Sequence, residues 1–346
     1  MIVTYLRSSS ISSYTWCAHK FFISSNLGLK EPSGQKAELG NIVHKALELL
    51  ARKKLAIQNN ADTFFDEELN LSFETKPFSI EESVKFGWDH YTDPSRTIHS
   101  WTNAHRKQAT KWTWDVINFG DGMFNPLNRE IIMPEQYFDM EIEHDWAKYE
   151  YYVPGTDKKE KFSGRLRIKG TMDLVTRADK GLVEYVDWKT GQRKDWSTNK
   201  EKGYEDLRKD FQMRLYHYAL CKLYPEDDIL MTIFFVQAGG PFSLFLDRSH
   251  LKETEDIIKT YYQAIQRNIF PKRIRDFNSN SWKCSRLCSY FKENWEGTEQ
   301  DKCSFIRDQI TQIGLDKVVA KFKISESPWG SYGSGGGVTN RDGETK

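Results

Sequence analysis

The chain has 346 residues, a formal net charge of +1, and 14% aromatic residues with 11 Trp among them. Such a length suits one α/β domain with insertions, and the aromatic content suits a sizeable core. The near-neutral balance excludes a whole-protein basic field, so a polyanion would have to be met by local patches.

The stretch MIVTYLRSSSISSYTW lacks the apolar segment of a signal peptide. No apolar run approaches the roughly 18 residues of a membrane span. The expectation is a soluble, cytoplasmic protein with no membrane contact. From Ser8 to Phe22, a Ser-rich start followed by aromatics predicts a capped, short amphipathic helix. In KAELGNIVHKALELLARKK, apolar Ile42, Val43, Ala46, Leu47 and Leu50 recur at helical spacing, and the Lys/Arg tail suits a helix C-terminus. Residues 60–130 are polar and Trp-rich and are expected to form a helical insertion. The period then changes. EQYFDMEIEHDW, RLRIKGTMDLVTR and GLVEYVDWKT alternate like three successive strands, the last two joined by ADKG. KDFQMRLYHYALCKLY returns to helical spacing and stops just before Pro225. ILMTIFFVQ reads as a buried strand pairing with FSLFLDR across AGGP, and LKETEDIIKTYYQAIQRN as a further helix. The Gly/Ser-rich end, 331–346, is expected to be a flexible tail after a single domain over 1–330. The sum is an α/β (α+β) fold with a mixed sheet and flanking helices.

EYVDWKTG places apolar Val186 and Trp188 between Asp187 and Lys189, as in a strand with one wet face. A three-residue loop of Asp179, Lys180 and Gly181, with Gly181 left-handed, sets Asp173 directly opposite Asp187. Opposed side chains have Cβ atoms about 5 Å apart, and Lys189, two residues on, shares their face. A two-residue loop would put the two Asp on opposite faces. Two facing carboxylates repel, and a divalent cation reverses that sign. Two carboxylates, waters and a phosphate oxygen suit Mg²⁺ or Mn²⁺. Such an ion would polarise a phosphoryl oxygen, and Lys189 would stabilise the developing charge. The bland alternative is a hairpin face with scattered surface charges.

WKCSRLCSYFKENWEGTEQDKC gives Cys284, Cys288 and Cys303, with Cys17 far upstream. Clustering of three cysteines favours a ligand set, and four thiolates suit zinc or a [4Fe–4S] cluster, the bland alternative being buried free thiols. Structural zinc sites favour two close pairs, and there is one close pair here. Cys221, on the apolar face of its helix, reads as core.

GTMD followed by VDWKTG resembles the core of the PD-(D/E)XK nucleases, in particular their RecB-like exonuclease branch, with a restriction-endonuclease-like fold. LGNIVHKALE resembles that branch's G-x-x-x-H helix, which implies that His44 is a further metal ligand or phosphate contact. PEQYF resembles the strand before the hairpin, with Glu135 as a helper at the metal. QMRLYHYAL resembles its Q-x-x-x-Y helix, implying that Gln212 and Tyr216 position the lysine and the DNA backbone. Asp187 stands where many members carry Glu. Cys17-Ala-His-Lys-Phe21 with the later trio resembles the iron–sulfur clamp of AddB-type nucleases, implying [4Fe–4S] on Cys17, Cys284, Cys288 and Cys303. The interval before Cys303 is longer than that clamp's usual one.

The resemblance implies a metal-dependent DNA nuclease, of exonuclease type, acting on single-stranded or end-processed DNA in recombination, repair or replication. No Walker A loop is present, so a helicase or recombination partner would be a separate chain. The alternatives are an inactive nucleic-acid-binding subunit and a nuclease acting on RNA. Basic stretches DKKEKFSGRLRIK, KTGQRKDWSTNKEK and QRNIFPKRIR, interleaved with Trp196 and Phe270, suit a single strand.

Overall fold

The computed structural model describes residues 1–76, 78–194, 199–278 and 281–324. Trp196 and the tail 331–346 lie outside them. In chain order the strands are β1 Tyr5–Leu6, β2 Thr63–Asp66, β3 Leu71–Glu74, β4 Glu130–Glu141, β5 Lys148–Tyr152, β6 Lys161–Arg165, β7 Arg167–Asp179, β8 Leu182–Lys189, β9 Asp228–Phe235 and β10 Gly240–Phe245. The α-helices are α1 Ser8–Trp16, α2 Ala18–Phe21, α3 Gln35–Gln58, α4 Ile80–Tyr91, α5 Asn103–Ile117, α6 Tyr204–Arg208, α7 Phe211–Leu223, α8 His250–Arg267, α9 Trp282–Leu287, α10 Ser289–Lys292, α11 Lys302–Ile313 and α12 Leu315–Phe322. The fold is α/β, with a mixed sheet flanked by helices. Among the described residues no helix is long and apolar enough to cross a membrane.

Two units divide the chain. One comprises 33–139 and 169–256. Its sheet runs β7–β8–β9–β10, with β4 also paired to β7. β7–β8 and β9–β10 are antiparallel hairpins, while β8 and β9 are parallel and joined through α6 and α7, as a parallel pair requires a crossover. The apolar stripe expected on α3 is buried: Ile42, Val43, Leu47 and Leu50 pack with Leu174 of β7, Val186 and Trp188 of β8 and Phe234 of β9. Residues 60–130 add α4, α5 and the β2–β3 hairpin, and their Phe64, Phe73 and Phe78 join the same core. Each such side chain contributes about 1.5–3 kcal/mol by leaving water.

Two expectations for the β7–β8 hairpin are corrected. The ladder closes at Asp179–Leu182, leaving Lys180 and Gly181 as a two-residue turn with Gly181 at φ 73°. A β-bulge between Arg177 and Asp179 then shifts the register by one, so Leu174 faces Val186 and Val175 faces Tyr185. The extra residue of the bulge does what the three-residue loop was expected to do. Nor does β8 keep a wet face: from Val183 to Trp188 every residue is buried. Between β7 and β9 the strand is central, and its polar residues are satisfied by partners. Glu184 accepts hydrogen bonds from Arg129 and from Thr232 Oγ1 at 2.5 Å.

The other unit comprises 1–32, 140–168 and 257–346. β1 pairs in parallel with Arg167 and Ile168, and β5 with β6 in an antiparallel hairpin. The helix expected from Ser8 to Phe22 is broken at Cys17, whose extended backbone (φ −162°, ψ 111°) ends α1. Its sulfur then caps α2, accepting from the Lys20 N–H at 3.4 Å. α9 to α12 complete this unit, with Trp295 stacked on Phe305 at 4.7 Å.

Candidate active site

The β7–β8 ladder ends at the Leu174–Val186 pair, and Asp173 and Asp187 are the next residue of each strand beyond it. Directly opposed residues of an antiparallel pair share a face. Asp173 Oδ2 accepts the Trp188 N–H at 2.8 Å and lies 3.3 Å from His44 Nδ1. Asp187 is 1% exposed. Its Oδ1 accepts from Tyr185 Oη (2.7 Å), Gln212 Nε2 (2.9 Å) and Lys189 Nζ (3.1 Å). Lys189 Nζ sits 2.8 Å from Oδ2 and donates to Gln212 Oε1 at 3.3 Å. Gln212 thus ties the carboxylate and the ammonium to the first turn of α7, whose N-cap Asp210 accepts the Gln212 N–H at 2.9 Å. Tyr216, one turn further on α7, packs edge-on to the rings of Tyr185 (5.4 Å) and Phe138 (5.5 Å).

His44 arrives on α3, and Gly40 one turn earlier explains how. A Cβ at position 40 would stand 2.6 Å from Thr190 Oγ1, so a glycine lets α3 approach the end of β8 where Lys189 lies. Gly40→Ala is therefore expected to push α3 away from β8 and cut catalytic activity about tenfold or more, by analogy with the cost of ~1 Å misplacements. Adding Thr190→Ala should recover most of it. An undiminished single variant, or a double variant no better than the single, would contradict this account of Gly40.

The electrostatics are those of a site short of positive charge. Burial, together with the neighbouring Asp173 charge, raises the Asp187 carboxyl above its ordinary range, although Lys189 opposes this. Asp173 is held below its ordinary value: burial acts upward, but His44, Lys189 and the Trp188 N–H outweigh it. His44 is raised, since the Asp173 carboxylate overcomes the downward effect of burial. Burial alone would lower Lys189, yet Asp187 and Asp173 raise it, so it remains an ammonium and cannot act as a base at neutral pH. Glu135, in β4, adopts a left-handed φ of 47°, a conformation costing a non-glycine residue about 1–3 kcal/mol. Burial first, then the charges of Asp173 and Glu48, push its carboxyl up to about 8.

The geometry thus gathers Asp173, Asp187, Lys189, Gln212 and His44, sets Glu135 within their field, and brings Tyr216 in through Tyr185. Three contributors were not singled out from sequence. Tyr185 lies two residues before Asp187 and shares its face by the period of a strand. Glu48 lies four after His44 on the same helix face. Thr190 had no signal before Gly40 was seen against it.

A divalent cation fits this donor set. Asp187 Oδ2 is buried and, beyond the Lys189 ammonium at 2.8 Å, has no hydrogen-bond partner among the described residues. No three His, Cys, Asp or Glu side chains among the described residues are grouped around one point. Mg²⁺, however, is commonly held by one or two carboxylates with waters and substrate phosphate.

Cys17, Cys284, Cys288 and Cys303 all belong to the other unit. Cys284 is raised by burial and by the nearby Cys17 sulfur; Cys303 is raised by burial and by the Cys288 and Cys17 sulfurs. Burial pushes Cys288 up to about 11. Among the described residues these thiols are not grouped around a single ion. Cys221 is buried, 3.4 Å from His217 Nε2, as the core reading expects.

The chain belongs to the PD-(D/E)XK nuclease superfamily, whose family model matches residues 8–305. No curated protein matches the sequence. Among solved structures, it is similar to one from Eubacterium rectale named "Putative exonuclease", at 12% identity over 79% of this chain and 85% of that chain, with a TM-score of 0.46.

Proposed function

We propose that this nuclease hydrolyses DNA phosphodiester bonds in a Mg²⁺- or Mn²⁺-dependent reaction, as an exonuclease on single-stranded or end-processed DNA. Asp173 and Asp187 are the metal ligands, and Glu135 and His44 complete the site from β4 and α3. The ion, when bound, supplies Lewis acidity to the scissile phosphate and the nucleophilic water. Lys189, held as an ammonium by Asp187, stabilises the charge that develops on the phosphate. Gln212 fixes Lys189 against Asp187, and Tyr216 buttresses Tyr185 beneath them. The observation that carries this reading is Asp173 Oδ2 bonded to the Trp188 N–H beside Asp187, with Lys189 Nζ 2.8 Å from a buried Asp187 oxygen. A role in recombination, repair or replication beside a separate helicase follows from the resemblance to RecB-like exonucleases.

Digestion of end-labelled linear and circular DNA, single- and double-stranded, with Mg²⁺, Mn²⁺ or chelator, tests the proposal. Loss of labelled ends from linear substrates, abolished by chelator, is expected. DNA left intact with both metals, or cleavage that survives chelation, would sink it. Ribo versions of the same oligonucleotides separate DNA from RNA as substrate.

The cysteine set carries a [4Fe–4S] cluster in this reading. Anaerobically purified protein should be brown and contain about four irons per chain, the content of one such cluster. Cys17→Ser should bleach it. Colourless protein with stoichiometric zinc would replace the cluster with a zinc site.

A further inference from the structure

From Arg267 to Lys292 the sequence carries seven Lys or Arg and a single acid, Asp276, in a chain whose overall charge is +1. Asp276 is already neutralised, by Arg273 at 2.9 Å and Arg307 at 3.2 Å. Lys272, Arg286 and Lys292 are exposed. In the same stretch large rings face solvent: Phe277 is 74% exposed, Trp282 47% and Phe270 40%. Cations stand against two of these rings. Lys272 Nζ lies 5.3 Å from the Phe277 centroid, and the Arg307 guanidinium 3.5 Å from that of Phe270.

Exposing three aromatic rings costs solvation free energy that a purely structural loop has no reason to bear. Their arrangement says what covers them. A protein–protein core gathers apolar side chains and excludes lysine. Here Phe270 and Phe277 each stand beside a cation, which is the pairing that tracks a single strand: bases stack on rings, and phosphates meet the charges. Stacking needs no base identity, and the cations need only phosphate, so the surface is sequence-tolerant.

We infer that the exposed rings Phe270, Phe277 and Trp282, with Lys272 and Arg286, form a single-stranded nucleic-acid-binding surface on the unit that carries the cysteines. The inference takes from the proposed function only that the substrate is a nucleic acid. Binding here requires no divalent ion and no turnover.

The test is fluorescence anisotropy of labelled oligo-dT and oligo-rU, each about 20 nucleotides so that one protein covers the probe, with full-length protein in chelator. Phe277→Ala and Trp282→Ala are each expected to weaken binding about tenfold, the loss of one stacked base. Phe277→Trp, which keeps a stacking face, should stay close to wild type. Lys272→Gln should lower the slope of log affinity against log salt by about 0.7, the loss of one single-strand phosphate contact. Weakening on either probe supports the surface, and its presence on DNA, RNA or both identifies the strand. Unchanged affinity in both alanine variants with an unchanged salt slope in Lys272→Gln overturns it. Asp187→Asn serves as the separating control: it should bind the probes like wild type. If that variant still cleaves normally, the catalytic assignment fails while this surface stands.

Discussion

Lys189→Ala should lower the rate of metal-dependent cleavage by about 10³-fold, or roughly 4 kcal/mol of transition-state stabilisation, while leaving the fold intact. The side chain is 39% exposed, so its removal opens no buried cavity. What goes is the ammonium 2.8 Å from Asp187 Oδ2 and its bond to Gln212. Two losses combine. The developing charge on the phosphate loses its partner, and Asp187, already raised by burial and by Asp173, loses the cation that opposes that shift. The apparent requirement for Mn²⁺ should therefore rise together with the fall in rate. Lys189→Arg should not rescue, because a planar guanidinium cannot take the place of a compact ammonium between Asp187 and Gln212. Cleavage by Lys189→Ala within tenfold of wild type would remove Lys189 from the mechanism.

Arg129→Met should cost about 3–5 kcal/mol of stability, because it strands a buried carboxylate. Arg129 is bonded to Glu184 of β8 and donates to Thr176 Oγ1 at 3.1 Å on the neighbouring strand. Glu184 keeps only Thr232 Oγ1 when the guanidinium is gone. The companion change Glu184→Leu should recover most of the loss, since an apolar pair of similar volume is often as stable as a buried ion pair. Urea unfolding of the three variants measures both effects. A single variant within 1 kcal/mol of wild type would show that the pair is not what keeps Glu184 inside.

These two residues mark how far the sequence could be read. The strand alternation around Asp173 and Asp187, with a glycine at the turn, pointed to the register that pairs Leu174 with Val186. The means differed: a two-residue turn and a bulge replaced the three-residue loop, and the two solutions present identical patterns to a reader of alternation. Glu184 shows the opposite limit. Polar residues alternating with apolar ones look like a wet face, and only a partner 55 positions away reveals that the face is dry. Lys189 and Gln212 were legible through the motif they resemble, Tyr185 through strand period alone had it been applied. The left-handed backbone at Glu135 had no local signature in the sequence. The break at Cys17 was hidden by a helical composition on both sides; the sulfur's capping bond decides it.

The unit holding the cysteines is assembled from three separated stretches, and its thiols come from both ends of the chain. During translation at about 5–20 residues per second, Cys17 emerges on the order of tens of seconds before Cys303. The intervening segments 33–139 and 169–256 belong to the other unit and are complete first, so that unit can fold on the ribosome while Cys17 waits. The Cys17 thiol is thus open to oxidation or to capture by a stray metal for that interval.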